Sequence, residues 1–203
     1  MSDPGVDQIG YSYHLPNWLT DSVDFGVQHT TDDDKMALVV ALASANVEHD
    51  TGGPFGAAVF DLTNDRLVAP GVNRVVPTSN PTAHAEIVAI SIAGSRLGRH
   101  DLGGSGQHPM ALVSSVEPCA MCLGATPWSG VSRLVIGARD EDARSVGFDE
   151  GTKPRRWIES LQARDITVVR DVLREEATDV LAKYRKAGGE IYNSARSPGE
   201  EIG

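Results

Sequence analysis

Residues 81–90 read P-T-A-H-A-E-I-V-A-I, and residues 117–124 read E-P-C-A-M-C-L-G. The first run sets His84 and Glu86 at the head of a small, apolar stretch with helical spacing. The second holds both cysteines of the chain, Cys119 and Cys122. Pro118 suits a helix start because it has no N–H to leave unpaired. Positions i and i+3 share a helix face, so the two sulfurs can meet at one point. The positive end of the helix favours thiolate over thiol there. Two thiolates suit zinc, and His84 as a third ligand leaves the last tetrahedral position open for water, as in catalytic zinc sites. Glu86 lies beside such a metal without ligating it, where a carboxylate can carry a proton from water to a substrate nitrogen.

Working outward, Thr31 and Asp34 predict a capping box, and the acids at 32–34 favour the positive helix end. Met36, Leu38, Val39, Leu42, Ala43 and Val47 continue that helix. T-G-G-P-F-G ends it. A-A-V-F-D-L and R-L-V-A-P-G-V then predict a hairpin turning at T-N-D. The His84 segment is a helix closed by Gly98, and G-G-S-G-Q is a loop. M-A-L-V-S-S-V is a buried strand leading into the cysteine helix, and R-L-V-I-G-A is the next strand. R-R-W-I-E-S-L, I-T-V-V-R-D-V and E-E-A-T-D-V-L-A-K-Y-R-K-A-G-G predict a short helix, a strand and a closing helix. Strands alternating with helices predict one α/β domain, a three-layer α/β/α sandwich around a central mixed sheet. If the strands before the two site helices run the same way, His84 and the cysteines meet at one end of that sheet. Residues 1–30 lack periodicity but carry Tyr11, Tyr13, Trp18 and Phe25, and read as an extension packed on the surface of a domain over 31–193. Residues 194–203 read as a polar tail.

The chain has 203 residues, 40% of them hydrophobic, enough for one domain with a substantial core. A formal charge of −10 and no basic cluster argue against a nucleic-acid partner and leave a small molecule as the expectation. No apolar window is long enough to span a membrane, and the N-terminus lacks the basic start and apolar core of a signal peptide. A lone C-x-x-C does not make a disulfide framework, so the expected location is cytoplasmic.

Singly, His84 could be a core histidine, Cys119 and Cys122 a redox pair or small core residues, and Glu86 a solvated charge. Together, H-x-E followed by P-C-x-x-C is the pattern of zinc nucleobase deaminases. T-A-H-A-E-I-V-A-I with E-P-C-A-M-C-L-G-A resembles the cytidine deaminase superfamily over roughly residues 32–192. Within it, G-G-P-F-G-A, G-A-T-P-W-S-G and R-D-E-D-A-R-S-V-G-F-D-E resemble the bacterial guanine deaminases. The resemblance implies a zinc-dependent hydrolase with one catalytic Zn2+ per chain, converting guanine to xanthine and ammonia. Guanosine, an aminotriazine such as ammeline, or cytosine are alternative substrates. A tRNA adenosine deaminase that binds RNA, and a zinc-stabilised binding module with no need of Glu86, are the rivals from other classes.

Carried over by the resemblance, His84, Cys119 and Cys122 match the zinc ligands and Glu86 the proton-transferring carboxylate. Asn73 matches a base-binding Asn, though it could be a turn residue. Phe55, Trp128 and Phe148 match aromatics of the pocket, although Phe55 and Trp128 could be core. Asp142 matches a second carboxylate at the substrate amine, or else caps the segment after R-L-V-I-G-A. Tyr192 resembles a C-terminal Tyr that closes the site, in some relatives from a swapped partner subunit. The resemblance also implies a homodimer. Ala120 replaces a Pro common between the cysteines, and Asn80 stands where Asp is frequent.

Overall fold

The structure, a computed structural model, describes residues 13–104 and 106–194. Tyr11, part of the G-G-S-G-Q loop and the tail beyond 194 lie outside the described residues. In chain order the elements are α1 (Asn17–Ser22), α2 (Asp32–Glu48), β1 (Gly56–Asp61), β2 (Arg66–Val72), α3 (Val75–Thr78), α4 (Ala85–Leu97) and β3 (Met110–Val116). They continue with α5 (Ala120–Trp128), β4 (Arg133–Ala138), α6 (Asp140–Ser145), α7 (Trp157–Gln162), β5 (Thr167–Val169) and α8 (Arg174–Lys186).

Thr31 starts α2 as expected. Its hydroxyl accepts the Asp34 N–H at 3.0 Å while the Asp34 carboxylate accepts the Thr31 N–H at 3.0 Å. The strands form one sheet in the order β2-β1-β3-β4-β5. β1 is antiparallel to both β2 and β3, and β3, β4 and β5 are mutually parallel neighbours. Because β2 and β3 are each antiparallel to β1, they run the same way. The helices that follow them, α4 and α5, therefore begin at the same end of the sheet.

Alternate side chains of a strand face opposite ways, and the core divides accordingly. Ala57, Val59, Leu112, Leu134 and Ile136 pack with Ala85, Ala89 and Ala93 of α4, Leu123 of α5 and Leu161 of α7. Their neighbours Ala58, Phe60, Val113 and Val135 face Met36 and Val39 of α2. Ala177 and Leu181 of α8 join that second layer through Val116 and Ala138. Each fully buried Leu, Val or Phe of these layers contributes roughly 1.5–3 kcal/mol by leaving water. Gly71 lets α4 rest directly on β2, since a Cβ there would lie 2.3 Å from the Ala85 carbonyl oxygen and 2.7 Å from the Ala89 nitrogen. The residue before α4, His84, is thereby drawn against the sheet.

Three short helices were not expected from the sequence. α3 and α6 are too short to show a period, and α1 buries only Leu19. α1 lies within the stretch read as an aperiodic extension and packs Leu19 with Leu42 of α2 and Val72 of β2. β5 is shorter than the apolar run suggested: Asp171 and Leu173 turn the chain at φ 66° and 47° before α8. Among the described residues, no helix is long and apolar enough to cross a membrane.

Candidate metal centre and its cavity

His84 and Cys119 are the N-caps of α4 and α5, each with extended backbone (ψ 153° and 172°), so their side chains turn back over the first helical turn. Cys122 sits one turn further along α5. The ligating atoms of His84, Cys119 and Cys122 all lie within 4.8 Å of one another. Cys119 Sγ is 3.5 Å from His84 Nδ1. The hydrogen bond from Cys122 is the largest cause lowering the Cys119 thiol to about 4, with His84 adding to it against burial. The same bond, with burial, pushes the Cys122 thiol well up. His84 is raised despite burial, through its bond to Cys119 and the charges of Glu86, Cys119 and Glu150. Zinc would be held by the two sulfurs as thiolates and by His84 as a neutral imidazole, so the donor set fits it.

Beside the cluster lies a cavity of about 520 Å³ whose wall includes Phe55, Asn73, His84, Glu86, Cys119, Phe148 and Tyr192. These are residues singled out in the sequence, and the fold brings them together from six separate stretches. Phe148 meets Phe55 edge-on at 4.8 Å between centroids and Tyr192 at 5.3 Å. Asn73 Nδ2 donates to the Tyr192 hydroxyl at 2.7 Å. Tyr192 therefore reaches the cavity of its own chain. Glu86 is buried, and burial first, then the Cys119 charge, raises its carboxyl.

Two residues singled out in the sequence are not at the cavity. Trp128 is 86% exposed at the end of α5 and turns away from the wall. Asp142 belongs to the start of α6. Its Oδ2 accepts the Arg139 N–H at 2.7 Å and Arg174 Nε at 2.8 Å, and its Oδ1 accepts Arg174 Nη2 at 2.9 Å. With those bonds it ties α6 to α8, which is the capping reading of this residue rather than the substrate-contacting one.

Glu150 also lines the cavity; the sequence reading quoted it as the last residue of R-D-E-D-A-R-S-V-G-F-D-E and gave it no role. Phe148 and Glu150 are buried while Asp149 between them is exposed. That alternation, two apart on one side of an extended segment, was the available signal. Burial above all, then the charges of Cys119 and Glu86, pushes the Glu150 carboxyl up to about 8. Its backbone carbonyl accepts the Ala120 N–H at 2.9 Å, which lays this loop on the start of α5.

At the cavity wall, buried Glu117 takes Lys153 Nζ at 2.7 Å and Arg170 Nη2 at 2.8 Å on its two oxygens. Lys153 also donates to the Pro118 carbonyl at 3.1 Å and pairs with Asp140 at 2.6 Å. This charge network braces the loop that carries the cysteines against the loop that carries Glu150.

The family model of the cytidine and deoxycytidylate deaminase zinc-binding region matches residues 29–138. The chain is 39% identical over 115 residues to the guanine deaminase of Bacillus subtilis, covering 57% of this chain and 69% of that protein. It is 27% identical over 154 residues to a tRNA-specific adenosine deaminase of Buchnera aphidicola, covering 75% of this chain and 94% of that one. Among solved structures, the guanine deaminase from Nitrosomonas europaea superposes with a TM-score of 0.84 at 41% identity, covering 90% of this chain and 100% of that one. A structure of NE0047 in complex with 2,6-diaminopurine gives 0.82 at 43% identity, covering 89% and 95%. The matched region spans both halves of the site, the His84–Glu86 pair and the two cysteines, and on that match the chain belongs to the cytidine and deoxycytidylate deaminase family.

Proposed function

We propose that this chain hydrolyses guanine to xanthine and ammonia at the His84–Cys119–Cys122 centre. The observation that carries the proposal is the meeting of two buried carboxyls, Glu86 and Glu150, with His84 and Cys119 of that cluster at one cavity. Similarity to the Nitrosomonas europaea guanine deaminase over 90% of the chain supports guanine among the nucleobases. The cavity has the size of a small-molecule site, and the charge of −10 favours a free base over an RNA stem-loop.

His84, Cys119 and Cys122 hold the zinc, which when bound lowers the pKa of water to about 7. Glu86 takes the proton of the water that adds to C2 of the base and delivers it to the neighbouring ring nitrogen. The C2–amine bond then breaks: Glu150 gives its proton to the departing amine, which leaves as ammonia, and the C2 hydroxyl, losing its proton to become the carbonyl, reprotonates Glu150. Asn73 binds the base edge. Its Nδ2 has a second N–H beyond the one given to Tyr192. Phe55 and Phe148 shape the apolar wall, and Tyr192 closes the mouth. Both cysteines are free thiols, and a reducing compartment such as the cytoplasm keeps them so. For the homodimer, the exposed face of α5 with Met121, Gly124 and Trp128 offers a surface that a second copy would cover, measurable by sedimentation.

Running the reaction in water enriched in heavy oxygen tests the chemistry. Xanthine should carry a single solvent oxygen at C2, with ammonia released in equal amount. Unlabelled product would contradict direct hydrolysis.

A further inference from the structure

The family region begins at residue 29, so α1 stands before it. A line of hydrogen bonds, carried through the covalent frame of Asn73, nevertheless joins α1 to the cavity. Trp18 Nε1 donates to the Thr51 hydroxyl at 3.0 Å. Thr51 passes its own proton to Asn46 Oδ1 at 2.8 Å. Asn46 Nδ2 donates to the Gly53 and Asn73 carbonyls, each at 2.9 Å. Asn73 Nδ2 in turn donates to the Tyr192 hydroxyl at 2.7 Å.

Each link allows one arrangement. Because Thr51 accepts from an indole N–H, its lone hydroxyl proton is directed to Asn46. The Asn46 amide is fully buried with its oxygen and both N–H groups engaged, which fixes its orientation. There is no slack in the packing either. A Cβ on Gly52 would lie 1.9 Å from the Asn73 carbonyl oxygen, and one on Gly53 would lie 2.9 Å from the Tyr192 ring. The outer end is anchored as well. The Trp18 ring stacks on His49 at 5.3 Å with 13° between planes, and Leu19 packs on Val72, the residue before Asn73.

We propose that Trp18 is a positioning residue for the base. Through Thr51 and Asn46 it sets where Asn73 and Tyr192 stand against the substrate, so the N-terminal extension is a working part of the site. This rests on the reading of Asn73 as the base-binding residue.

The test is the steady-state kinetics on guanine of Trp18→Phe, Thr51→Val, the double variant and Asn73→Ala, with melting curves for each. Trp18→Phe keeps an aromatic ring facing His49 and removes the N–H together with the five-membered part of the indole. It should raise KM about two- to ten-fold, the effect of one lost hydrogen bond, with kcat and Tm little changed. The double variant should be no worse than Thr51→Val alone, because both remove the same relay. Trp18→Phe with the KM of the wild type overturns the proposal, as does a fall in Tm and kcat without a change in KM. If Asn73→Ala is impaired while Trp18→Phe is silent, the relay fails and the base-binding reading stands. If Asn73→Ala itself keeps the KM of the wild type, that reading fails and the relay with it.

Discussion

Nδ2 of Asn73 donates a 2.7 Å hydrogen bond to the hydroxyl of Tyr192, which lies 119 positions further along the chain. The bond joins the end of β2 to the segment after α8 at the wall of the cavity beside His84 and Cys119. Burial, the first cause, raises Tyr192 well above the ordinary phenol value and so keeps it neutral. Tyr192→Phe keeps the ring against Phe148 and deletes only the hydroxyl. It should raise KM for guanine about two- to ten-fold and leave kcat within a small factor, read from initial rates.

Glu86 and Cys119 should separate chemistry from metal binding. Glu86→Gln should retain its zinc and lose kcat by about 10²–10⁴, the usual worth of a general acid–base group. Cys119→Ala should lose the zinc itself, and activity with it. Elemental analysis beside turnover distinguishes the two.

Glu150 and Asp142 should behave in opposite ways. Glu150→Gln should lower kcat by about 10² or more, since it removes a proton carrier from the cavity wall. Asp142→Asn should keep kcat and lower Tm by a few degrees. Arg174, the largest cause, outweighs partial burial and with the Arg139 N–H holds the Asp142 carboxyl below its ordinary range. A depressed folded value gives stability that is present above the unfolded carboxyl value of about 3.9 and is lost as pH falls from there through the folded value. The stability gap between wild type and Asp142→Asn should thus be level near neutrality and narrow below about pH 4. Denaturant titrations across that range measure it.

Lys153 is almost fully buried against Glu117 and Asp140. Lys153→Met leaves Glu117 with Arg170 alone. Breaking a buried pair costs up to about 3–5 kcal/mol, and Arg170, which still holds one Glu117 oxygen, should keep the loss below that figure. Urea unfolding of the variant reports it.

The zinc cluster was readable in the sequence because its chemistry depends on residue type at short spacing: His84 with Glu86, and Cys119 with Cys122. The main helices were readable too, with the cap of α2 at Thr31 and the end of α4 at Gly98 where the structure has them. Asp142 was expected at the cavity because D-E-D at 140–142 is as acidic as D-E at 149–150. What separates them is tertiary. Arg174, on a distant helix, occupies Asp142, while no cation pairs with Glu150 among the described residues. Trp128 could not be told from a wall residue by type alone, since a tryptophan in a short apolar helix suits either face. The relay from Trp18 was hidden because its ends, Trp18–Thr51 and Asn73–Tyr192, join residues far apart and its middle runs through backbone carbonyls, which leave no pattern in side-chain order.

The central claim is tested most directly by measuring ammonia released by the zinc-loaded protein from guanine, guanosine, ammeline, cytosine and adenosine. The account predicts that guanine is turned over well ahead of every other compound in that set. No release from guanine, with turnover of another member, would contradict it.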